Sequence, residues 1–298
     1  MNLVLFDLPG PRARARHGLY TGIGVVLVIA VVGFVVYQLY RNDQFDGSLW
    51  SWLQYKQIQV DLLAAVGETL KAFGLGALLA LAFASLFAVG RLSDHAWLRI
   101  PSLIIVEFFR AVPLVIMMFV FYYGLPAVGV KMTPFAAVVL GLMLYNGSVL
   151  AEVLRAGVLA IPRGQSEAAY ALGMRKAQVM VTVLLPQAVR AMLPTIVSQL
   201  VVLLKDTALG FIITYDELLY YIRTIGSQAP FGRPLIPVMI VGGGIYVVMC
   251  LMLSWLARYL EGRNRRSTKH IDLDDGGAGL EQLVLASGAE VGEPGAVR

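Results

Sequence analysis

Two pairs of opposite charges lie inside stretches of this sequence that are otherwise apolar, and their spacing could support ion-pair chemistry. Glu107 and Arg110 are three residues apart, and so are Glu152 and Arg155. A spacing of three brings two side chains to the same face of a helix, where each pair can neutralise itself. Charges in apolar surroundings are costly and are kept mostly where they function, so the alternative is a set of ion pairs that rearranges between two conformations.

A second polar group interrupts the apolar sequence at Lys205, Asp206 and Thr207. Lys205 and Asp206 are adjacent, so on a helix they point in different directions and cannot readily neutralise each other. Either they face a polar cavity, where they could meet the carboxylate and the ammonium group of a small zwitterion, or they pair with other helices. Asn146 and Ser148 present the same choice, because they could line that pathway or hydrogen-bond one helix to another.

The elements that must position these residues are membrane-spanning helices. Of the 298 residues, 58% are hydrophobic and 14% are charged, and the mean hydropathy is +0.73. A helix needs about 20 apolar residues to cross the hydrocarbon core. The stretches that meet this requirement number six and are roughly Leu19–Tyr40, Leu62–Val89, Pro101–Leu125, Thr133–Leu154, Ala188–Ile213 and Leu235–Leu260. The sequence therefore predicts an all-α, multi-pass protein of the cell membrane with six transmembrane helices.

Lysine and arginine in the short flanking segments set the orientation, because such residues stay on the cytoplasmic side. They are concentrated in every second segment between the spans, namely around residues 12–16, 91–99, 155–176 and 258–269. This alternation predicts that both termini are cytoplasmic (N-in, C-in). The net charge of +5 is then a sign of topology and not of nucleic-acid binding.

The orientation divides the chain into three parts. A cytoplasmic arm covers residues 1–18, the transmembrane region covers 19–260, and a Gly- and acid-rich tail covers 261–298 and is expected to be disordered. One predicted outer segment contains ELLYYIRTI, whose tyrosines and aliphatic residues suit a helix at the outer membrane surface, with a plain loop as the alternative.

A polar segment between two spans, RGQSEAAYALGMRKAQVMVTVLLPQ from Arg163 to Gln187, is too regular for a simple connection. Pro162 ends the preceding element, the next residues are good helix formers, and Gly173 is placed to end the helix in a left-handed conformation. The pattern predicts a short helix with small side chains, which lets another surface approach closely. Pro186 then predicts a sharp turn back into the membrane.

The spacing in this segment resembles the EAA signature of the membrane subunits of bacterial ABC importers. EAA at 167–169 is followed by Gly173, nine further residues and VLLP at 183–186, with valine where the signature usually has isoleucine. The resemblance implies that loop 163–186 forms a coupling helix that docks in a groove of a cytoplasmic ATPase. The coupling residues that it implies are Arg163, Glu167, Ala168, Ala169 and Gly173, with Leu185 and Pro186 as an elbow.

Three more stretches are similar to polar amino-acid permeases, and above all to the actinobacterial glutamate-uptake subunits. They are EFFRAVPLVIMMFVFYYGLP from Glu107, YNGSVLAEVLRAGVLAIPRGQ from Tyr145 and LLKDTALG from Leu203. The resemblance implies one extra N-terminal helix before a five-helix type I permease core. It also implies a related second permease subunit, two ATPase copies and an extracellular amino-acid-binding protein as partners.

On this interpretation the chain is the permease subunit of an ATP-driven importer of a polar amino acid, with glutamate as the expected substrate. The two pairs Glu107/Arg110 and Glu152/Arg155 are then candidates for an inner gate. The chain binds no cofactor itself, since it has no GxxxxGK[ST] phosphate loop, and ATP and Mg²⁺ belong to the partner ATPase. The sequence also has no HExxH or GxSxG motif, which argues against an enzyme, while an ion-gradient-driven secondary transporter remains the alternative.

Overall fold

A computed structural model describes residues 10–265 of the chain. Within this range every regular element is helical. The α-helices in chain order are α1 Pro11–Arg41, α2 Lys56–Arg91, α3 Ala96–Ala111, α4 Leu114–Phe119, α5 Leu125–Ala127, α6 Pro134–Leu159, α7 Arg163–Ala171, α8 Lys176–Gln178, α9 Leu185–Asp206, α10 Leu218–Gly226 and α11 Leu235–Arg265. The shorter 3₁₀ and π segments are Gly47–Gln54, Val120–Gly124, Val179–Leu184, Thr207–Ile213 and Ala229–Phe231.

The predicted all-α membrane fold is confirmed, with one change in the third span. In the described part of the chain, five helices are long and apolar enough to cross a membrane, and a bent pair can supply a sixth. The bent pair, Ala96–Ala111 and Leu114–Ala127, meets at 97° and occupies the region of the third predicted span. The bend has a local cause: Val112 is extended (φ −83°, ψ 126°) because the residue before a proline is disfavoured in the α region.

Helices α2 and α6 pack against each other through small side chains and form the centre of the fold. Alanine and glycine recur every three or four residues along the buried face of α2. A Cβ added to Gly147 of α6 would lie 3.0 Å from Phe83 Cδ1 and 3.1 Å from the Ala80 carbonyl oxygen. Only glycine therefore permits this approach of the two backbones, which is how helices commonly associate in lipid.

Two π-helical segments each precede a proline. Val120–Gly124 is followed by Pro126, and Val179–Leu184 is followed by Pro186. Proline has no N–H and crowds the carbonyl four residues earlier, so the preceding turn widens. The sharp turn predicted at Leu185 and Pro186 is wrong, because Leu185 is helical (φ −61°, ψ −44°) and one helical run continues from residue 176 to 213.

The outlying helices differ from the prediction mainly in length. The apolar window of α1 has none of its residues buried inside the protein, as lipid permits on all faces of a helix. This helix begins at Pro11, inside the predicted arm, and α11 continues to Arg265, while the rest of the predicted tail lies outside the described residues. The predicted helix in ELLYYIRTI is confirmed as α10, which buries Leu218, Ile222 and Ile225 against Trp52 and Val238.

Candidate functional site

Helix α7 is the short helix that the EAA pattern predicts. It ends in a Schellman motif, in which the Gly173 N–H bonds to the Tyr170 carbonyl at 2.9 Å and the Met174 N–H to the Ala169 carbonyl at 3.2 Å. Gly173 has φ +78°, a conformation that glycine adopts without strain. The chain therefore turns at Gly173, and not at Pro186, to begin the next helix.

The side chains of α7 divide into an outward and an inward group. Arg163, Glu167, Ala168 and Gly173 are exposed. Leu172, at the end of the helix, is 84% exposed, which is unusual for a large aliphatic side chain. Ala169 is 5% exposed and faces the protein itself, so it does not present the outward docking surface that the sequence predicted. Its small side chain instead lets α7 lie close to the following helical segment.

The two predicted ion pairs form, and a fifth residue joins them. Glu107 lies 3.1 Å from Arg110, and the Glu152 carboxylate accepts two hydrogen bonds from Arg155 at 2.6 and 3.0 Å. Nη1 of Arg91, at the end of α2, lies 2.7 Å from Glu152 Oε2 and 3.3 Å from Glu107 Oε1. These two contacts are ionic, since Nη1 makes no well-directed hydrogen bond. Arg91 therefore connects α2, α3 and α6.

Arg91 is the member of this cluster that sequence reasoning missed. Its side chain is only 7% exposed, so the two carboxylates are its main environment. In the sequence it reads as one of several basic residues that flank a span. The sequence shows only that Arg91 lies at the end of an apolar stretch. Periodicity within one helix does not reveal that it contacts carboxylates on two other helices.

The residues predicted to form a pathway separate into one cluster and three positions outside it. Asn146 is fully buried, donates to Asp206 Oδ2 at 3.2 Å and accepts from Gln199 Nε2 at 2.8 Å. Asp206 thus pairs with another helix, as the second alternative predicted. Lys205 points elsewhere, is exposed and lines a groove beside α11, so it does not converge with Asp206 on one ligand.

Ser148 and Thr207 are both fully buried but lie outside this hydrogen-bonded cluster. The Ser148 hydroxyl has no hydrogen-bond partner among the described residues. The Thr207 hydroxyl donates to the Leu204 carbonyl in its own helix at 2.6 Å. Gln199, which the sequence reading did not single out, takes the third place in the cluster.

A second cluster that the sequence reading missed surrounds Glu217, which is fully buried at the start of α10. Its carboxylate accepts hydrogen bonds from the Leu219 and Tyr220 N–H groups at 2.7 and 2.8 Å and from the Tyr246 hydroxyl at 2.7 Å. The Leu218 N–H bonds to the Thr69 hydroxyl at 3.0 Å. Burial raises the pKa of Glu217 to about 7, against the effect of its hydrogen bonds. The cluster fastens α10 to α2 and α11.

The segment after α7 makes one ionic contact outside its own helix. Lys176, the first residue of α8, pairs with Asp94 in the connection between α2 and α3. The hydrogen bond and charge of Lys176 hold the pKa of the Asp94 carboxyl below its usual value. Both residues line an apolar groove of about 580 Å³ that separates the end of α2 from the helical run starting at α8.

Comparison with known proteins identifies the family of this arrangement. Residues 72–266 match the sequence profile of the binding-protein-dependent transport system inner membrane component. The chain belongs to this family. A glutamate transport system permease protein of Corynebacterium glutamicum is 39% identical over 237 residues, which cover 77% of this chain and 85% of that protein.

Two further comparisons agree with the family. A probable glutamine ABC transporter permease protein of Bacillus subtilis is 35% identical over 160 residues, covering 54% of this chain and 73% of that protein. Among solved structures, the crystal structure of an amino acid ABC transporter with histidines has a TM-score of 0.66 and 28% identity, covering 72% of this chain and 98% of that chain. The protein is therefore a multi-pass, non-catalytic permease subunit of an amino-acid ABC importer.

Members of this family do not supply the energy for transport themselves. Inner membrane components of this kind work with a separate ATPase, which binds ATP and Mg²⁺, and with a substrate-binding protein. Residues 10–265 contain no group of three or more side chains suited to hold a metal ion.

Proposed function

We propose that this permease subunit imports L-glutamate, and that α7 is its coupling helix to the ATPase. The observation that carries the coupling role is the geometry of α7, a capped helix on which Glu167 and Leu172 are exposed. The Corynebacterium permease, at 39% identity, supports glutamate as the substrate. An exposed acidic residue in the middle of the helix and an exposed leucine at its end form a surface suited to a groove with basic and apolar walls.

The coupling role assigns a place to the other residues of this segment. Arg163, Glu167, Ala168 and Gly173 contact the ATPase, with two ATPase copies serving two permease subunits. Ala169 fixes α7 against the permease. Leu185 and Pro186 belong to the helix that α7 moves.

The orientation that fits this role is N-in, C-in. The end of the protein that carries Arg91, α7 and Lys176 then faces the cytoplasm, in agreement with the concentration of basic residues there. The opposite end, with α10 and the Glu217 cluster, faces the extracellular binding protein.

The substrate pathway in this proposal passes Asn146 and Asp206, whose pairing joins α6 to α9 in the membrane. Gln199, Ser148 and Thr207 add polar groups near them. Lys205, which faces away, contacts lipid or the second permease subunit with which the chain forms a heterodimer. The inner gate is the cluster of Glu107, Arg110, Glu152 and Arg155, whose pairings differ between inward-open and outward-open states.

Uptake of labelled L-glutamate into proteoliposomes that contain the complete complex tests the proposal. Uptake should require ATP hydrolysis and the binding protein, and excess unlabelled glutamate should compete better than glutamine or aspartate. Equal competition by glutamine would refute glutamate specificity. Uptake that persists with a nonhydrolysable nucleotide would instead support a secondary transporter.

The coupling role is tested in the same vesicles by Glu167→Lys, with the nearly isosteric Glu167→Gln as the matched variant. Reversal of the charge should abolish uptake at normal expression, and removal of the charge should weaken it partially. If both variants transport like the wild type, Glu167 has no part in coupling.

A further inference from the structure

The connection between α2 and α3 forms a rigid corner at the same end of the protein as α7. The Leu92 N–H bonds to the Ala88 carbonyl at 3.0 Å, and the Ser93 N–H bonds to the Gly90 carbonyl at 3.2 Å. The His95 N–H bonds to the Ser93 hydroxyl at 3.2 Å. These bonds continue the helical path past Arg91, so the backbone from Arg91 to Asp94 has little freedom to move independently of α2.

This corner carries two ionic contacts that point to different parts of the protein. Asp94 pairs with Lys176, three residues after the Gly173 turn that ends α7. Arg91, on the protein side of the corner, contacts Glu107 of α3 and Glu152 of α6. The backbone of the corner therefore joins an ion pair with the segment after α7 to an ionic cluster at the junction of three membrane helices.

An apolar groove lies between the corner and the segment after α7. The apolar groove of about 580 Å³ separates Val89 and Leu92 from Val181 and Leu185. The Asp94–Lys176 pair is an ionic contact between the two sides of this groove.

We propose that the corner Arg91–Asp94 is a link by which movement of α7 reaches α3 and the ion pairs that α3 shares with α6, with Arg91 and Asp94 as positioning residues. The link rests on the proposed coupling role of α7. When the ATPase displaces α7, Lys176 carries Asp94 with it, and the rigid corner moves Arg91 relative to Glu107 and Glu152. The inner cluster then exchanges its ion pairs.

A charge exchange tests the outer half of the link without threatening the fold. Asp94 and Lys176 have side chains that are 72% and 50% exposed, and an exposed ion pair contributes at most about 1 kcal/mol to stability. The variants Asp94→Lys and Lys176→Asp, and the two together, should therefore unfold at the wild-type temperature. Any transport defect then reflects coupling.

The measurement is glutamate transported per ATP hydrolysed by the reconstituted complete complex. Each single reversal should lower this ratio roughly fivefold, the factor that corresponds to about 1 kcal/mol, and the double reversal should restore it to within about twofold. The link is overturned if the single reversals keep the wild-type ratio, or if the double reversal is no better than the singles.

Two controls separate failure of the link from failure of the proposed function. Stimulation of ATP hydrolysis by the binding protein is measured in the same samples and should show the same loss and recovery, so a wrong substrate does not affect the test. Glu167→Lys reports the docking of α7 itself. Loss of coupling in Glu167→Lys but in neither charge reversal would overturn the link alone.

Arg91→Lys tests the inner half. Lysine keeps the charge, but its side chain is one bond shorter, so its ammonium does not reach the position from which Arg91 Nη1 contacts both carboxylates. The ratio of transport to hydrolysis should fall about tenfold with expression unchanged. The matched substitution Arg41→Lys, at an exposed position at the end of α1, should have no effect. Equal results for the two substitutions would remove Arg91 from the link.

Discussion

The hydroxyl of Tyr246 should hold the start of α10 in place, and Tyr246→Phe removes that hydroxyl without removing the ring. The bond lost is a 2.7 Å hydrogen bond to the fully buried Glu217 carboxylate. A hydrogen bond to a charged group contributes about 1.5–3 kcal/mol. Glu217 keeps its two bonds to backbone N–H groups, so α10 should remain folded but open more often. A loss of about 2 kcal/mol corresponds to roughly 30-fold more frequent opening.

Hydrogen exchange followed by mass spectrometry measures this opening directly in the purified complex. Peptides that cover α10 should exchange roughly 30-fold faster in Tyr246→Phe, while peptides from α6 should be unchanged. Tyr221→Phe removes a neutral 3.1 Å hydrogen bond to the Ile58 carbonyl and should accelerate hydrogen exchange in α10 by roughly fivefold. Tyr123→Phe, at a side chain that is half exposed, is the control without effect.

Two results would refute this reasoning about α10. If Tyr246→Phe leaves its exchange unchanged, the hydroxyl does not fasten the helix. If exchange increases equally in all helices, the substitution lowers global stability and the local role of Glu217 is wrong.

Further predictions concern protonation and three glycine positions. Because burial raises the pKa of Glu217 from its usual 4.5 to about 7, the folded state holds the proton more tightly than the unfolded chain, so α10 should be most protected below pH 4.5 and lose protection as pH rises through 7. Exchange corrected for intrinsic rates should show this change in the wild type but not in Glu217→Gln. Gly147→Ala should destabilise the protein by about 1–3 kcal/mol because its Cβ meets the backbone of α2, while Gly74→Ala, in open space, should not; thermal unfolding distinguishes them. Gly173→Ala should lower the stability of the α7 turn by about 1 kcal/mol, because alanine is strained at φ +78°, and it should weaken coupling in uptake assays. Unchanged uptake would show that the turn tolerates this strain.

Patterns within one helix were readable from the sequence, and contacts between helices were not. The pairs Glu107/Arg110 and Glu152/Arg155 follow from a spacing of three residues, and both form. Arg91 reaches Glu152 across 61 positions of sequence, a distance over which helical periodicity carries no information. Its role depends on the packing of α2 against α6.

Proline was the residue whose effect the sequence reading placed least well. At Pro113 the helix breaks with a bend of 97° inside one predicted span, whereas Pro186 lies in a continuous helical run where a sharp turn was predicted. Both positions obey local rules, but the outcome depends on whether the preceding turn can widen into a π segment. Whether the turn widens depends on how neighbouring helices pack, and a single sequence does not show that packing.

Glu217 was missed for a related reason. An acidic residue before an amphipathic helix reads as an ordinary solvated cap, and its burial results from Tyr246 and Thr69, which belong to distant helices. The capping function was available from the sequence, while the cost of burying the charge was not.

The most direct test of the central claim is native mass spectrometry of the full-length chain, tagged and extracted from its membrane under mild conditions. An ATP-coupled permease subunit should be recovered with one related permease and two copies of an ATPase, and Glu167→Lys should release the ATPase while the two permeases stay together. Recovery of the chain alone or as a homo-oligomer, under conditions that preserve other membrane complexes, would contradict the proposed assembly and the role of α7 as its coupling helix.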